Sequence, residues 1–437
     1  MYRFKINQLS DLDGFLTKVS GRMPKNRESY RKTILASAAF CLLAMLIGIG
    51  AFFVPGLAVV LFFAFCLMAA VIAGLVVLGG LIGLSRDAME LRGQPYYSTR
   101  PRECSAGAFV HLRRKLLRLM PGSPARLRLW PGEWVEVRPF SEIAMTLDDE
   151  GRLDGLPFMP EMRRYCGGRH RVFRRVEKIH HYYGPTAPHL RRLRDAVLLD
   201  ELRCDGAGHG GCQAGCQLIW KEAWLSPSDG AKADRPAPEA VDASRLDACA
   251  KINAADGEER YACQMTELPK ATTRLSWRDP RHYWRELRSG NVRPGPFIVA
   301  VALALFNTVQ RKLRSAEAPY REPTDRKTSP KEVLDLQPGE LVRVKTRRQI
   351  EETLNHVSKN RGLWFDREMH RFCGGEFRVA SVVRTIVDEA SGKMLTMGSA
   401  CIVLAGVSAT GEYLGLCPQN ELIFWHEIWL ERVAPRA

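Results

Sequence analysis

Four residues of the kinds that bind metal ions lie within thirteen positions of this chain: Cys204, His209, Cys212 and Cys216. Glycines separate them in the string Cys-Asp-Gly-Ala-Gly-His-Gly-Gly-Cys-Gln-Ala-Gly-Cys, which we call the knuckle (residues 204–216). Thiolates and imidazoles are preferred ligands of Zn²⁺, and glycine lets the backbone turn sharply enough for several of them to reach one ion. The knuckle therefore predicts a metal centre.

The first choice of ligands is a set of four thiolates around Zn²⁺, with His209 as a substitute ligand or as a neighbour that orients one. The fold would bring the fourth thiolate to the knuckle from elsewhere in the chain. The predicted set is Cys166, Cys204, Cys212 and Cys216. An iron–sulfur cluster also uses four thiolates and stays an alternative, as do free or disulfide-bonded cysteines.

The second half of the chain repeats part of the first. The string Pro-Gly-Glu-Trp-Val-Glu-Val at 131–137 returns as Pro-Gly-Glu-Leu-Val-Arg-Val at 338–344, an offset of 207 residues. The same offset relates the two Cys-Gly-Gly strings at 166–168 and 373–375. An offset of 205 relates two Trp-x-Glu-x-Trp-Leu strings, at 220–225 and 425–430. We therefore expect two copies of one module.

The cysteines of the second copy bear on its chemistry. We match Cys166, Cys204 and Cys212 with Cys373, Cys401 and Cys417, while Glu421 takes the place of Cys216. The second copy then keeps either a weaker, more open metal site or cysteines that serve as small core residues. A site with three protein ligands and a water in the fourth position could be catalytic, whereas a closed site of four thiolates is structural.

Hydrophobic patterning predicts the fold of each copy. The Val-x-Val alternation after Pro-Gly-Glu predicts a strand, residues 141–147 and 347–354 predict short helices, and the Trp-x-Glu-x-Trp-Leu string predicts a closing strand. On that strand, Glu222 and Glu427 would accept hydrogen bonds from a backbone or arginine donor. The predicted fold class is α+β, mainly β: an N-terminal two-helix transmembrane hairpin followed by two duplicated SH3-like β-barrel modules with a cysteine-rich metal-binding loop.

Residues 33–85 contain no Asp, Glu, Lys, Arg or His. A membrane-spanning helix needs about 20 apolar residues, so this stretch predicts two passes joined at Pro55-Gly56. Basic residues flank both ends, and the positive-inside rule then places both termini and the soluble domain in the cytoplasm of a bacterium, on a multi-pass inner-membrane protein. Cysteines in that reducing compartment favour metal binding over disulfides. Small residues such as Gly74, Gly79 and Gly80 would let helices, or copies in a homo-oligomer, approach closely.

The formal net charge of +16 predicts an anionic partner. Arginines are concentrated in residues 152–194, with histidines and tyrosines between them, and we call this segment the arginine band. The predicted contact residues are Arg163, Arg164, Arg169, Arg171, Arg174 and Arg175. Lipid headgroups or an acidic protein are preferred to nucleic acid as the partner, because the band follows the membrane segment closely.

The predicted organisation has six segments. They are a basic N-terminal segment (1–32), the hairpin (33–85), a basic connector (86–128), the first copy (129–225), a linker with a helical insert (226–331) and the second copy (332–437). Within the insert, the apolar run 297–306 predicts a buried or interfacial helix. The chain has no P-loop, dinucleotide fingerprint, G-x-S-x-G or H-E-x-x-H motif, so the familiar enzyme classes have no support.

Several strings resemble a family of uncharacterised bacterial cysteine-rich proteins. They are Gly-Leu-Pro-Phe-Met-Pro-Glu-Met at 155–162, Arg-Cys-Asp-Gly through the end of the knuckle at 203–216, Trp-Lys-Glu-Ala-Trp at 220–224 and Gly-Leu-Trp-Phe-Asp at 362–366. The resemblance covers residues 131–433 and implies a recurring cysteine-bearing fold with no known activity. It also implies a further cysteine near Val407-Ser408-Ala409, which this chain lacks.

Three functions follow from these expectations. The leading one is a membrane-anchored, zinc-binding scaffold or adaptor that joins other membrane or cytoplasmic proteins in an assembly at the inner membrane. The second is a membrane-bound redox or metal-dependent enzyme that uses the knuckle. The third is binding of an anionic polymer or nucleic acid through the arginine band.

Overall fold

The computed structural model describes residues 26–51, 57–91, 129–182, 189–228, 244–253, 257–313 and 326–433. The predicted turn at Pro55-Gly56, most of the basic connector and most of the basic N-terminal segment lie outside these residues. The described residues divide into two compact units. The first unit holds 26–51, 57–91, 294–313, 326–331 and 343–376, and the second holds 129–182, 189–228, 244–253, 257–293, 332–342 and 377–433.

The described residues are α+β and mostly sheet, as the sequence predicted. The helices are α1 (Asn26–Ala51), α2 (Leu57–Leu91), α3 (Phe140–Ala144), α4 (Ser244–Cys249), α5 (Leu268–Ala271), α6 (Pro280–Arg288), α7 (Pro294–Lys312) and α8 (Arg347–Glu351). Turns of 3₁₀ helix lie at Pro160–Tyr165, Glu222–Trp224, His370–Phe372 and Glu427–Trp429. The strands are β1 (Trp134–Val137), β2 (Arg152–Leu153), β3 (Leu156–Pro157), β4 (Arg169–Arg175), β5 (Lys178–His181), β6 (His189–Arg192), β7 (Ala196–Arg203), β8 (Gln217–Lys221), β9 (Leu225–Pro227), β10 (Lys251–Asn253), β11 (Glu259–Tyr261), β12 (Thr273–Arg274), β13 (Leu341–Val344), β14 (Lys359–Asn360), β15 (Leu363–Trp364), β16 (Glu376–Val387), β17 (Met394–Ser408), β18 (Leu422–His426) and β19 (Leu430–Arg432).

In the first unit, helix α2 packs against α1 and α7. The closest approach is at two glycines of α2. A Cβ atom on Gly79 would lie 2.1 Å from the backbone oxygen of Ala302 in α7, and one on Gly80 would lie 2.6 Å from the side chain of Ile34 in α1. Phe306 of α7 is fully buried at this point. The predicted helix at 297–306 is therefore present as part of α7. The small residues of α2 let α7 pack closely against it.

Helix α2 contains the segment Phe65–Asp87, which is long and apolar enough to cross a membrane. It is the one such segment among the described residues, whereas the sequence predicted two. A multi-pass protein is thus not supported by these residues, although membrane association is possible. The segment ends at Asp87, whose buried carboxylate lies 3.2 Å from the guanidinium of Arg347 in α8.

The two large sheets have the same strand order. The first sheet, a half-barrel in the second unit, runs β8-β7-β4-β1-β9, and the other sheet runs β18-β17-β16-β13-β19. In the first, β8 and β9 lie at opposite edges but are consecutive in the chain, joined by three residues. The four steps from Lys221 to Leu225 span at most about 14 Å, so the sheet must curl until its edges approach one another.

The registers of the two sheets also correspond. Val172 faces Leu199 in the first sheet, and Val379 faces Leu404 in the second. The β4–β7 pair has an irregularity between Val172 and Arg174, and the β16–β17 pair has one between Val379 and Ser381. Backbone pairing thus keeps the 207-residue offset in β4 and β16, and the 205-residue offset in β7 and β17.

The predicted closing strand is wrong in one respect. Glu222–Trp224 and Glu427–Trp429 are 3₁₀ turns, because the chain must pass there from one edge of the sheet to the other. The expected role of the two glutamates is confirmed. Glu222 accepts hydrogen bonds from the Leu129 N–H at 3.3 Å and from the Arg175 guanidinium. Glu427 accepts from the N–H of Leu336 at 2.9 Å.

We expect the substitution Gly79→Ala to destabilise the helix packing of the first unit by about 2 kcal/mol, because the added methyl group meets backbone rather than a movable side chain. Gly74→Ala is the matched control, since a Cβ there has nothing within 4 Å. Unfolding of the full-length protein in detergent, followed by circular dichroism, measures both. Equal stabilities for the two variants would contradict the close approach of α7.

Candidate metal centre

Three side chains of different chemistry meet beside the first sheet. Glu161 lies in the 3₁₀ turn after β3, Cys204 directly follows β7, and His209 lies in the knuckle. The Cys204 Sγ is 3.1 Å from Glu161 Oε1 and 3.5 Å from His209 Nε2, and His209 Nδ1 is 3.7 Å from Glu161 Oε1. Their ligand atoms all lie within 4.8 Å of one another, which is true of no other group of three among the described residues. This group could hold a metal ion.

The knuckle brings Cys204 and His209 together through a tight backbone turn at Gly206. Gly206 has a φ of +74°, and a Cβ atom on it would lie 2.1 Å from the carbonyl oxygen of Cys212. Its carbonyl accepts hydrogen bonds from the N–H groups of His209 and Gly211, both at 3.0 Å. Any residue other than glycine would be strained here and would also collide with the returning chain, so the spacing of the two ligands depends on this glycine.

The site is buried, and part of its hydrogen-bonding capacity is unused. Glu161 and His209 are 6% and 2% exposed, while Cys204 is half-buried. Glu161 Oε2 and His209 Nδ1 have no hydrogen-bond partner in the described part of the chain. Leaving such a buried polar atom unsatisfied costs about 1–3 kcal/mol. A cation among these three groups would supply the missing interactions.

The protonation states of the site argue against a nucleophilic thiol. Burial and the neighbouring Glu161 carboxylate raise the pKa of the Cys204 thiol, and burial lowers the pKa of His209. A thiol, an imidazole and a carboxylate side by side resemble a nucleophilic triad. The thiol of a reactive cysteine, however, has a lowered pKa, whereas that of Cys204 is raised. Cys204 instead stays protonated until a cation displaces its proton.

The other predicted ligands of the first copy are not members of this group of three. Cys166 ends the 3₁₀ turn that carries Glu161, and both Cys166 and Cys216 pack against the apolar core. The carbonyl of Cys216 accepts a 2.8 Å hydrogen bond from the N–H of Cys204. Cys212 packs instead against Tyr261 and Val387, and its sulfur accepts a hydrogen bond from the Val387 N–H at 3.3 Å. The structure thus brings together Cys204 and His209 of the predicted residues, and the set of four thiolates stays a prediction.

The match between Cys204 and Cys401 is wrong. Cys401 faces His426 as Ala196 faces Lys221, so Cys401 occupies the position of Ala196. The N–H of Ala409 donates to the Glu421 carbonyl at 2.8 Å, as the N–H of Cys204 donates to that of Cys216.

Ala409 therefore holds the position of Cys204, and at the same offset Leu414 holds that of His209. The second sheet lacks the thiol and the imidazole at these positions. Its predicted ligands, Cys373, Cys401 and Cys417, are all buried. Burial raises the pKa of the Cys401 and Cys417 thiols to about 11 and about 12.

The arginine band makes many contacts within the fold. Arg164 pairs with Asp205 of the knuckle, and Arg169 lies 3.1 Å from Glu136. The guanidinium of Arg163 lies over the Phe140 ring, and that of Arg171 over the Trp134 ring. Arg174 is buried and donates to the Pro418 carbonyl at 3.3 Å, and Arg175 pairs with Glu177 and Glu222. Binding of an anionic partner by these six residues stays a prediction.

Sequence reasoning missed Glu161 as a ligand. A signal was present, because Glu161 and Glu368 match at the offset of 207, and both are buried. A buried glutamate is uncommon unless it is paired or coordinates a cation. Burial is a property of the fold and cannot be read from one sequence.

Comparisons of the chain with protein-family models, curated proteins and solved structures give no match. Its function is therefore inferred from the geometry of the site.

We expect the affinity of the full-length protein for Zn²⁺ to rise about tenfold per pH unit between roughly pH 7 and 8, because one proton leaves Cys204 on binding. His209 adds no second proton, since burial lowers the pKa of its imidazole and the ring is already neutral above pH 7. Competition with a chelator of known pH dependence measures the slope. A slope near zero would contradict thiolate coordination at Cys204, and a slope of two or more would indicate further thiols.

Proposed function

We propose that this chain is a membrane-anchored scaffold whose first sheet is held by one Zn²⁺ ion bound to Glu161, Cys204 and His209. The observation that carries the proposal is the convergence of these three ligand atoms within 4.8 Å at a buried point. Carboxylate, thiolate and imidazole are the three kinds of side chain that bind Zn²⁺, and a water molecule completes four-coordination. Mg²⁺ and Ca²⁺ prefer oxygen ligands throughout, so a thiolate disfavours them.

Burial of the centre supports a scaffold rather than an enzyme. Glu161 and His209 are almost wholly covered, so a substrate would have little access to the ion. The raised pKa of the Cys204 thiol also disfavours redox chemistry at this sulfur in the metal-free protein. An ion at this point would fix the knuckle to the 3₁₀ turn of Glu161, which is what a structural metal does.

We further propose that the two sheets are duplicated SH3-like modules and that the second has lost the metal. The common strand order and register support a common origin. Ala409 and Leu414 in place of Cys204 and His209 support the loss of the site. The two modules would have similar sheets but different loops, so that each could bind a different partner protein, as an adaptor requires.

The anchor in this proposal is the two-helix hairpin of α1 and α2, with the modules in the bacterial cytoplasm. Large apolar side chains are exposed on both helices, among them Phe40 (54%) and Leu43 (55%) on α1 and Phe65 (62%) and Val71 (55%) on α2. Side chains of this kind need a nonpolar environment, and lipid supplies it. Basic residues on both sides of the apolar stretch support the cytoplasmic orientation.

We expect the purified full-length protein to hold about one zinc per chain, and the variants Cys204→Ala and His209→Leu to hold almost none. Each variant installs the residue that the second sheet uses at the same position, so gross misfolding is not expected. Elemental analysis by mass spectrometry measures the zinc. The matched control is Cys401→Ala, which installs the residue of the first sheet and should leave the zinc unchanged.

Retention of zinc by Cys204→Ala would contradict the proposed centre. Loss of zinc from Cys212→Ala would favour the predicted set of four thiolates instead. A scaffold also requires that the ion stabilise the fold, by about 2.7 kcal/mol at a free zinc concentration one hundred times the dissociation constant. Chelation should therefore lower the unfolding temperature of the wild type and leave that of Cys204→Ala unchanged.

The hairpin can be tested with alkaline phosphatase, which is active only in the periplasm. A phosphatase fused after the C-terminus should be inactive, because two passes return the chain to the cytoplasm. The same enzyme inserted after Pro55 should be active. An active C-terminal fusion would instead fit a single pass through α2, and activity in neither fusion would contradict insertion across the membrane.

A further inference from the structure

The knuckle has a close structural counterpart in the second sheet, the loop 409–421. Gly206 and Gly411 both have left-handed backbone, with φ of +74° and +77°. A Cβ on Gly206 would lie 2.1 Å from the carbonyl oxygen of Cys212, and one on Gly411 would lie 2.2 Å from that of Cys417. The two loops therefore turn in the same way, one with metal ligands and the other without them.

Each loop is hydrogen-bonded to a strand of the other half of the second unit. The sulfur of Cys212 accepts a hydrogen bond from the N–H of Val387 in β16 at 3.3 Å, and the Gln419 side-chain oxygen accepts one from the N–H of His180 in β5 at 3.3 Å. Val387 and His180 correspond at the offset of 207. The corresponding N–H group of each half thus donates to the loop of the other half, as in an approximately twofold, isologous interface. All four residues belong to the second unit.

A single arginine lies at the centre of this arrangement. Arg203 donates to the carbonyl of Gly215 at 2.8 Å and to that of Asn420 at 2.9 Å. Gly215 and Asn420 correspond at the offset of 205, and both have left-handed φ. A guanidinium that binds the same carbonyl group in both loops lies on their approximate twofold axis. Arg203 directly precedes the proposed ligand Cys204 in the chain.

The far end of the knuckle also binds a strand of the second sheet. The Gln213 side-chain oxygen accepts hydrogen bonds from the N–H groups of Arg384 at 2.6 Å and Thr385 at 3.2 Å. The Gln213 N–H donates to the Thr385 carbonyl at 3.0 Å. The knuckle thus has the metal ligands at one end and bonds to β16 at the other.

We propose that the metal ion controls the docking of the two sheets within the second unit, so that the regulated partner of the metal centre is the second sheet of the same chain. This inference rests on the proposed function. The ion holds residues 204 and 209 in place, and the backbone hydrogen bond between Cys204 and Cys216 holds the two ends of the knuckle together. Arg203 and Gln213, which bond to the second half of the chain, lie on these two segments. Ordering the knuckle in advance removes entropy that docking would otherwise cost. Cys212 is an interface residue in this arrangement, not a ligand.

Hydrogen exchange of the full-length protein in detergent, with and without Zn²⁺, tests the proposal. The reporter amides are those of Arg384, Thr385 and Val387 on one side of the axis and that of His180 on the other, and none of these residues is a metal ligand. We expect zinc to slow exchange about tenfold or more at both places in the wild type. It should have no such effect in Cys204→Ala, whereas Cys401→Ala should behave as the wild type.

A second variant separates the interface from the centre. Gln213→Ala should still bind one zinc per chain, since Gln213 is not a ligand, but zinc should no longer protect the amides of residues 384 and 385. Zinc protection confined to the knuckle, or to one side of the axis, would overturn the proposal while leaving the zinc centre intact. Absence of zinc by elemental analysis would instead overturn the proposed function itself.

Discussion

The burial of the Glu161 carboxylate beside a thiol and an imidazole is the constraint on which this account depends. A carboxylate that leaves water loses its hydration, and here one oxygen accepts from the Cys204 thiol while the other has no partner among the described residues. The imidazole of His209 likewise leaves one nitrogen unused. Such a cluster is costly as an isolated feature of a core, and it becomes favourable when a cation lies among the three groups.

The backbone conformation around that cluster does not depend on the three metal-binding side chains. The second sheet builds the same turn at Gly411 and the same hydrogen bond at Ala409, yet places Ala409 and Leu414 where the first sheet has a thiol and an imidazole. Function in such a fold lies in the side chains that a shared frame presents. Because the two loops have matching backbones, a residue of one loop can be replaced by its counterpart from the other, which gives matched control variants.

The sequence was sufficient for features that depend on local pattern. The alternation at 134–137 predicted β1, and the two offsets anticipated matching strand orders, since register follows from hydrophobic alternation. The sequence failed to predict features that depend on how distant strands pair. The sequence matched Cys204 with Cys401 because both are cysteines, but the repeat offset changes from 207 to 205 before this point. Strand pairing shows that Ala409 is the counterpart of Cys204. Glu161 was missed because its burial depends on the knuckle, which lies about 40 residues further along the chain.

X-ray absorption at the zinc edge of the purified full-length protein tests the central claim most directly, because it reports which atoms surround the ion. Zinc–sulfur distances are about 2.3 Å and zinc–nitrogen or zinc–oxygen distances about 2.0–2.1 Å, so the two classes are separable. We expect one sulfur and three lighter ligands, corresponding to Cys204, His209, Glu161 and water. Three or four sulfurs would contradict this centre and restore the set of thiolates that the sequence first indicated.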